Sequence, residues 1–254
     1  MKITRTTPIA TLAMIATASP ALASEADRPS IPSVVVEVEN LAPERGTFMT
    51  PVWMGLHDGT FDIYDRGVSA DALLGPGVLE ALAEDGNNGP ITETFELRNP
   101  GQPQANLTAP GGPFQPGSRA AITFQVDPYR DRYFSYGSMV IPSNDFFVAN
   151  GNPLAHLLFD DGIFVGGDFI VSGAEVLDAG TESNNEVASE TAFLNQGGPN
   201  IGPGEGGVVL LGQGFAAPGA LTYPNGILNH PALARSDFTA SGYRTLGFRF
   251  RFID

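Results

Sequence analysis

Ser33-Val-Val-Val-Glu-Val-Glu-Asn40, near the start of the chain, puts valine at every even position from 34 to 38. Successive side chains of an extended strand point to opposite faces. Val34, Val36 and Val38 therefore share one face, and Val35, Glu37 and Glu39 the other. Thr245–Ile253, at the far end, repeats the pattern: Phe248, Phe250 and Phe252 alternate with Arg249 and Arg251. Both stretches read as half-buried strands. Between them lie shorter strand candidates at Val52–Leu56, Ile91–Leu97, Ala121–Val126, Met139–Ile141, Ile163–Val171 and Val208–Phe215. Asp58-Gly59, Asp85-Gly86 and Asp161-Gly162 stand among these runs as turn dipeptides. One amphipathic helix is expected over Pro76–Glu84, where Val78, Leu79, Ala81 and Leu82 share a face, and a weaker one over Val68–Leu74. The expected fold is all-β, an antiparallel two-sheet sandwich with one or two short helices. A membrane-spanning barrel fits less well, because most runs fall short of the nine to eleven residues a spanning strand needs and there is one Trp to build aromatic girdles.

Composition narrows the chemistry. The 254 residues carry 28 acids against 13 bases, a net charge of −15, which repels nucleic acid and anionic lipid and favours cations. There is no cysteine, which excludes disulfides, thiolate metal sites and thiol catalysis. Lys2 is the sole lysine, so a lysine Schiff base and a P-loop lysine are excluded in the mature chain.

Met1–Ala23 has the three parts of an export signal: Lys2 and Arg5, a small and apolar stretch over Pro8–Ala18, and the A-x-A-like Ala21-Leu-Ala23. Cleavage after Ala23 leaves a chain of net charge −17. Residues 24–33, polar with Pro29 and Pro32, read as a short tether ahead of one domain over 34–254. The expected location is secreted, periplasmic or cell-surface, with no transmembrane segment once the signal is removed.

Several motifs carry no chemistry. Gly202-Pro-Gly-Glu-Gly-Gly207 matches G-x-G-x-x-G, but it leads into Val208-Val-Leu-Leu211 rather than a helix, and Glu205 would oppose a phosphate. His57, His156 and His230 have no metal-ligand spacing. Glu80 and Glu84, four apart on the expected helix, read as a solvated face. The oxygen-rich loops say more: Pro142-Ser-Asn-Asp-Phe-Phe147, Phe159-Asp-Asp-Gly162 and Asp178–Glu186 hold the carboxylates and amides that calcium prefers.

Two of these loops carry a resemblance. Ser138-Met-Val-Ile-Pro-Ser-Asn-Asp-Phe-Phe-Val148 resembles the S-M-x-x-P-S-P-D-W-F-V stretch of the spondin N-terminal domain family, the F-spondin and mindin type of module, which also occurs as a stand-alone exported bacterial protein. Asp178-Ala-Gly-Thr-Glu-Ser183 resembles its D-A-G-T-D-S. Ala81–Gly86 and His57–Asp62 are similar to the bacterial branch. The resemblance implies a C2-like β-sandwich that binds Ca2+ through acidic loops. Matched by motif, the metal ligands are Asp145, Asp178 and Glu182. Asn144 stands where the family has Pro, Phe146 where it has Trp, and Glu182 where it has Asp, one methylene longer. The expected function is that of a non-catalytic module for calcium-dependent adhesion or recognition of an extracellular protein or glycan. Two alternatives are a structural envelope or matrix protein in which calcium is a staple, and a hydrolase on a jelly-roll-like sandwich, for which no nucleophile or acid–base pair is found. With one Trp and six Tyr, the chain offers few aromatics for an exposed glycan-binding face.

Overall fold

The computed structural model describes residues 31–254; the expected signal, its cleavage site and tether residues 24–30 lie outside the described residues. The order of elements is β1 (Ser33–Asn40), β2 (Phe48–Met49), β3 (Val52–His57), α1 (Asp71–Leu74), α2 (Val78–Asp85), α3 (Gly89–Arg98), β4 (Gln104–Leu107), β5 (Arg119–Gln125), β6 (Tyr133–Ile141), β7 (Phe146–Ala149), β8 (Phe159–Asp160), β9 (Ile163–Phe164), β10 (Phe169–Ser172), β11 (Leu177–Asp178), β12 (Leu210–Leu211) and β13 (Arg244–Ile253). The fold is all-β with antiparallel pairing: a four-stranded sheet in the order β10-β13-β1-β5, and a larger one in the order β12-β11-β7-β6-β3-β4 with β2 beside β6.

The two stretches that announce the sheet pair with each other. β1 lies between β13 and β5, so that Val34, Val36 and Val38 stand opposite Phe252, Phe250 and Phe248. All three valines and Phe248 are fully buried. They pack with Phe124, Phe134, Tyr136 and Val148 in the space between the sheets. The Phe248 ring stacks on Phe169 at 4.7 Å and tilts against Tyr136 at 4.6 Å. Burying such a side chain stabilises the fold by about 1.5–3 kcal/mol. On the outer face, Arg249 bridges Glu37 (2.5 Å) and Glu39 (3.1 Å), and Arg119 reaches Glu39 at 2.9 Å.

The helices cover the other face of the larger sheet. Trp53 contacts Phe61 and Phe95 there, each with ring centroids 5.4 Å apart, and Leu79, Leu82 and Phe147 join the same cluster. The Trp53 indole donates to Gln104 Oε1 at 3.0 Å.

Three expectations change. There are three short helices, because Ile91–Leu97 is helical. Pro90 opens α3, where its missing N–H costs nothing, and Ile91 and Phe95, four apart, turn inward while Leu97 is 83% exposed. The apparent alternation of Ile91, Phe95 and Leu97 concealed this i, i+4 pair. Ile163–Val171 is interrupted at Gly166-Gly167, which separates β9 from β10. Of Val208–Phe215 only Leu210–Leu211 pairs, because Gly212 and Gly214 follow and Gly214 has φ 91°. Among the described residues no helix is long and apolar enough to cross a membrane.

Candidate metal centre

Strand pairing brings the two motif loops together. β11 lies antiparallel to β7, with Leu177 opposite Phe147 and Asp178 opposite Phe146. One residue further along, the Ala179 N–H donates to the Asp145 carbonyl at 3.3 Å. The Asp145 carboxylate then caps the Asp-Ala-Gly-Thr-Glu turn. Its Oδ2 accepts from the N–H groups of Thr181 (2.9 Å) and Glu182 (3.1 Å) and from the Thr181 hydroxyl (3.3 Å). Asp178 Oδ1 accepts from the Gly180 N–H at 2.9 Å, and its Oδ2 from the Asn184 amide at 2.9 Å. Gly180 takes φ 67°, a conformation that disfavours a side chain.

The residues that depart from the family pattern are well used. Asn144 Oδ1 accepts from the Glu186 N–H at 3.3 Å, tying the two loops together from the side. Phe146 meets Phe238 edge-on at 5.2 Å. Glu186, which the sequence reading did not single out, clamps two further segments: Oε1 accepts from the Ala216 N–H at 2.5 Å and Oε2 from the Ile227 N–H at 2.8 Å.

All three sequence-matched residues are buried: Asp145 is 0% exposed, Glu182 2% and Asp178 8%. A fourth carboxylate joins them. Glu84, near the end of α2, is 3% exposed, which corrects the reading of Glu80 and Glu84 as one solvated face. Glu80 stays at the rim, where it accepts from the Asn200 amide at 3.2 Å. Nothing in the helix pattern marks it, since Glu84 lies opposite the Val78, Leu79, Leu82 and Ala83 stripe; it is buried because the loop carrying Thr181 and Glu182 covers that side of α2.

The glycine-rich stretch 202–207 forms the opposite wall. The Glu205 N–H donates to the Thr181 carbonyl at 2.9 Å, and the Gly207 N–H to the Gly180 carbonyl at 2.7 Å. A Cβ on Gly202 would fall 1.5 Å from Glu182 Oε1, so this wall must be glycine for the carboxylate to sit where it does. Glu84, Glu182, Glu80 and Asp71 line the resulting cavity of about 460 Å³.

Among the described residues Asp145 Oδ1 and both Oε atoms of Glu182 have no donor in good hydrogen-bond geometry, although the Asn144 amide and the Gly202 N–H lie close enough to Glu182 to favour its charged form. No basic side chain among the described residues pairs with any of the four acids. Their proton affinities rise accordingly. Burial, with the like charge of Asp145 and against the donors of Asn144 and Gly202, pushes Glu182 up to about 7. Burial, with Glu182, Glu80 and Asp145 nearby, does the same for Glu84. Asp178 rises to about 6 through burial and the Asp145 charge. Asp145 also rises through burial, opposed by the N–H groups it accepts from. Glu84 and Glu182 then hold their protons near neutrality or take a cation in their place. The donors are all oxygen, the kind a hard cation such as calcium takes. Among the described residues, no group of three or more His, Asp or Glu side chains is gathered closely enough to hold a metal ion in this arrangement.

The third oxygen-rich loop is elsewhere. Asp160 ends β8, where it faces Arg132 at 3.6 Å, and Asp161 opens the exposed turn to β9. The histidines are accounted for by packing and turn hydrogen bonds. His57 is fully buried, with Nε2 2.8 Å from the Ser135 hydroxyl and Nδ1 accepting from the Gly59 N–H, and burial lowers it to about 4. His230 contacts the Pro224 carbonyl at 2.7 Å. Set beside protein-family models and curated proteins, the chain matches none.

Proposed function

We propose that this chain is an exported, non-catalytic recognition module of the spondin N-terminal type, in which Ca2+ orders the loops at one end of the sandwich. Asp145, Asp178 and Glu182 would hold the ion, with Glu84 completing the set. The observation that carries this reading is that Asp145, Glu182 and Glu84 are buried together with no basic side chain in ion-pair contact among the described residues. An unpaired carboxylate away from water is costly, and a divalent cation answers the cost of several at once. The four side chains must draw inward to share one ion. Bound calcium supplies charge neutralisation and a fixed loop geometry.

The loops so ordered would present a surface to an extracellular protein or glycan. Calorimetric titration of the mature chain with calcium tests the site. Binding in the range of extracellular modules, about 10⁻⁴–10⁻³ M, supports the reading. No heat at millimolar calcium, or unchanged binding in Asp178→Asn, defeats it.

A further inference from the structure

The two main ladders end in β10, β5, β12 and β4, and three of these edges are closed off. β12 is two residues long, and beside it Val209 exchanges backbone hydrogen bonds with Gly67 and Val68 at 2.8 and 2.9 Å. β10 is four residues long, its register against β13 shifts between Ile170 and Ser172, and its last N–H donates to Glu175 Oε2 at 2.7 Å. β4 is four residues long and follows Pro103, and the amides of Gln104 and Asn106 reach back to Thr92 of α3. β5 differs. It runs seven residues, Arg-Ala-Ala-Ile-Thr-Phe-Gln, in unbroken register with β1, and holds no proline, bulge or acid. Among the described residues its backbone pairs with β1 alone, and no side chain caps its outer edge.

The unpaired groups can be assigned by residue. The ladder between β1 and β5 is bracketed by the Asn40 N–H donating to the Ser118 carbonyl at 3.0 Å and the Val126 N–H donating to the Pro32 carbonyl at 2.9 Å. Hydrogen-bonded pairs alternate along an antiparallel ladder. The even residues from 118 to 126 therefore face β1, and the odd ones, Arg119, Ala121, Thr123 and Gln125, aim N–H and C=O outward. A long, regular edge without a bulge, a proline or a cap is a template for another strand.

We infer that β5 pairs with β5 of a second copy of this chain, antiparallel about a two-fold axis at Ile122, joining the two small sheets into one. This register sets Ala121 opposite Thr123 and Arg119 opposite Gln125, so every outward N–H and C=O finds a partner. On the core-facing side Ile122 meets Ile122, and Ala120 meets Phe124, a small residue against a large one. Ala120 and Ile122 are only partly buried within one copy, so the contact also covers apolar surface. No like charges stand opposite each other. Charge favours this edge over the rest of the surface. Two chains of net charge −15 repel, but β5 carries no acid, and on neighbouring β1 Glu37 and Glu39 are bridged by Arg249 and Arg119. A foreign strand gains specificity from pockets for its alternate side chains, whereas the solvent face of β5 offers Ala121 and Thr123. A self-complementary strand needs no such pockets, because one two-fold contact satisfies both copies. The interface belongs to the small sheet and does not rest on the carboxylate cluster, which lies at the ends of α2, β7 and β11.

The test is sedimentation equilibrium of the mature chain at micromolar to millimolar concentration, in calcium and in chelator, with backbone hydrogen exchange on the same samples. Monomer and dimer should exchange to the same extent in both conditions, and exchange at the Ala121 and Thr123 N–H groups should slow as concentration rises. Thr123→Pro removes an N–H that the monomer leaves unpaired, at an edge position where a strand tolerates proline. Its melting temperature when dilute should match the parent. The two-fold axis doubles the loss, so dimer affinity should fall about tenfold or more. Gln125→Arg sets guanidinium groups opposite each other at both ends of the interface and should weaken the dimer about fivefold, while Gln125→Glu, facing Arg119, should strengthen it by a similar factor. A chain that stays monomeric throughout, a dimer unaffected by Thr123→Pro, or exchange at Ala121 and Thr123 that is the same at every concentration overturns the assignment. Affinity shifted the same way by both Gln125 variants overturns the register. Dimerisation in calcium only overturns its independence from the carboxylate cluster.

Discussion

Glu37 and Glu39 on the outer face of β1 and the buried set of Glu84, Asp145, Asp178 and Glu182 are two treatments of acid in one molecule. The first pair stands in a regular sheet and meets Arg249 and Arg119 across the strands. The second set is buried and, among the described residues, meets no base. A chain with 28 acids and 13 bases cannot pair them all, but acids left over at random would lie in water. Here four of the unpaired ones are among the most buried residues of the protein. Cross-strand arginines make the exposed acids a minor matter, while desolvation makes the buried ones costly until protons or a cation arrive.

The contrast can be broken first at the sheet. Phe248→Ala removes a ring that packs on Tyr136, Phe134 and Phe169. It should cost about 3–5 kcal/mol in urea unfolding while leaving the carboxylate loops intact in whatever protein remains folded. A loss below 1 kcal/mol would mean that the two sheets do not depend on this contact.

The next largest effect belongs to calcium. If the ion binds only the folded chain, a hundredfold excess over Kd stabilises it by about 2.7 kcal/mol, seen as a rise in melting temperature. Asp178→Asn should abolish most of that rise, and Asp160→Asn, exposed and opposite Arg132, should leave it whole.

A smaller effect isolates the carboxylates without metal. Glu182 is held near 7 in the folded chain, above the ordinary 4.5. Folding therefore retains its proton between these values, and stability falls as pH rises through that window. His57 and His156, lowered from 6.5 to about 4, act in the opposite sense: their contribution is present above 6.5 and is lost as pH falls toward 4. Comparing the parent with Glu182→Gln in chelator cancels the histidines. The variant should be the more stable by about 1–2 kcal/mol at pH 8 and nearly equal at pH 5. With calcium added the order should reverse at pH 8. The smallest effect is expected at Arg249→Gln, which should barely move the melting temperature, because exposed ion pairs contribute little.

Much of the architecture was legible because period two is a local property. The faces of Ser33–Asn40 and Thr245–Ile253 follow from side-chain alternation and are the same in any antiparallel sheet. Helix α3 was not legible, since Ile91, Phe95 and Leu97 satisfy a strand pattern and an i, i+4 helix pattern at once; packing against Trp53 and Phe61 selects the helix. At the candidate metal centre, Asp145, Asp178 and Glu182 stood out by motif. Glu84 did not, since four-residue spacing from Glu80 is what a solvated helix face also shows.

Amino-acid order alone thus determined the strand faces, the absence of thiol chemistry, the acid excess and the two acidic loop motifs, because each depends on residue identity and near neighbours. Tertiary structure decided which acids lose their water. The burial of Glu84 beside Asp145 and Glu182 arises where segments far apart in sequence, 98 residues for Glu84 and Glu182, meet across a helix end and loops. Desolvation is a property of that enclosure, which no single stretch of the chain specifies.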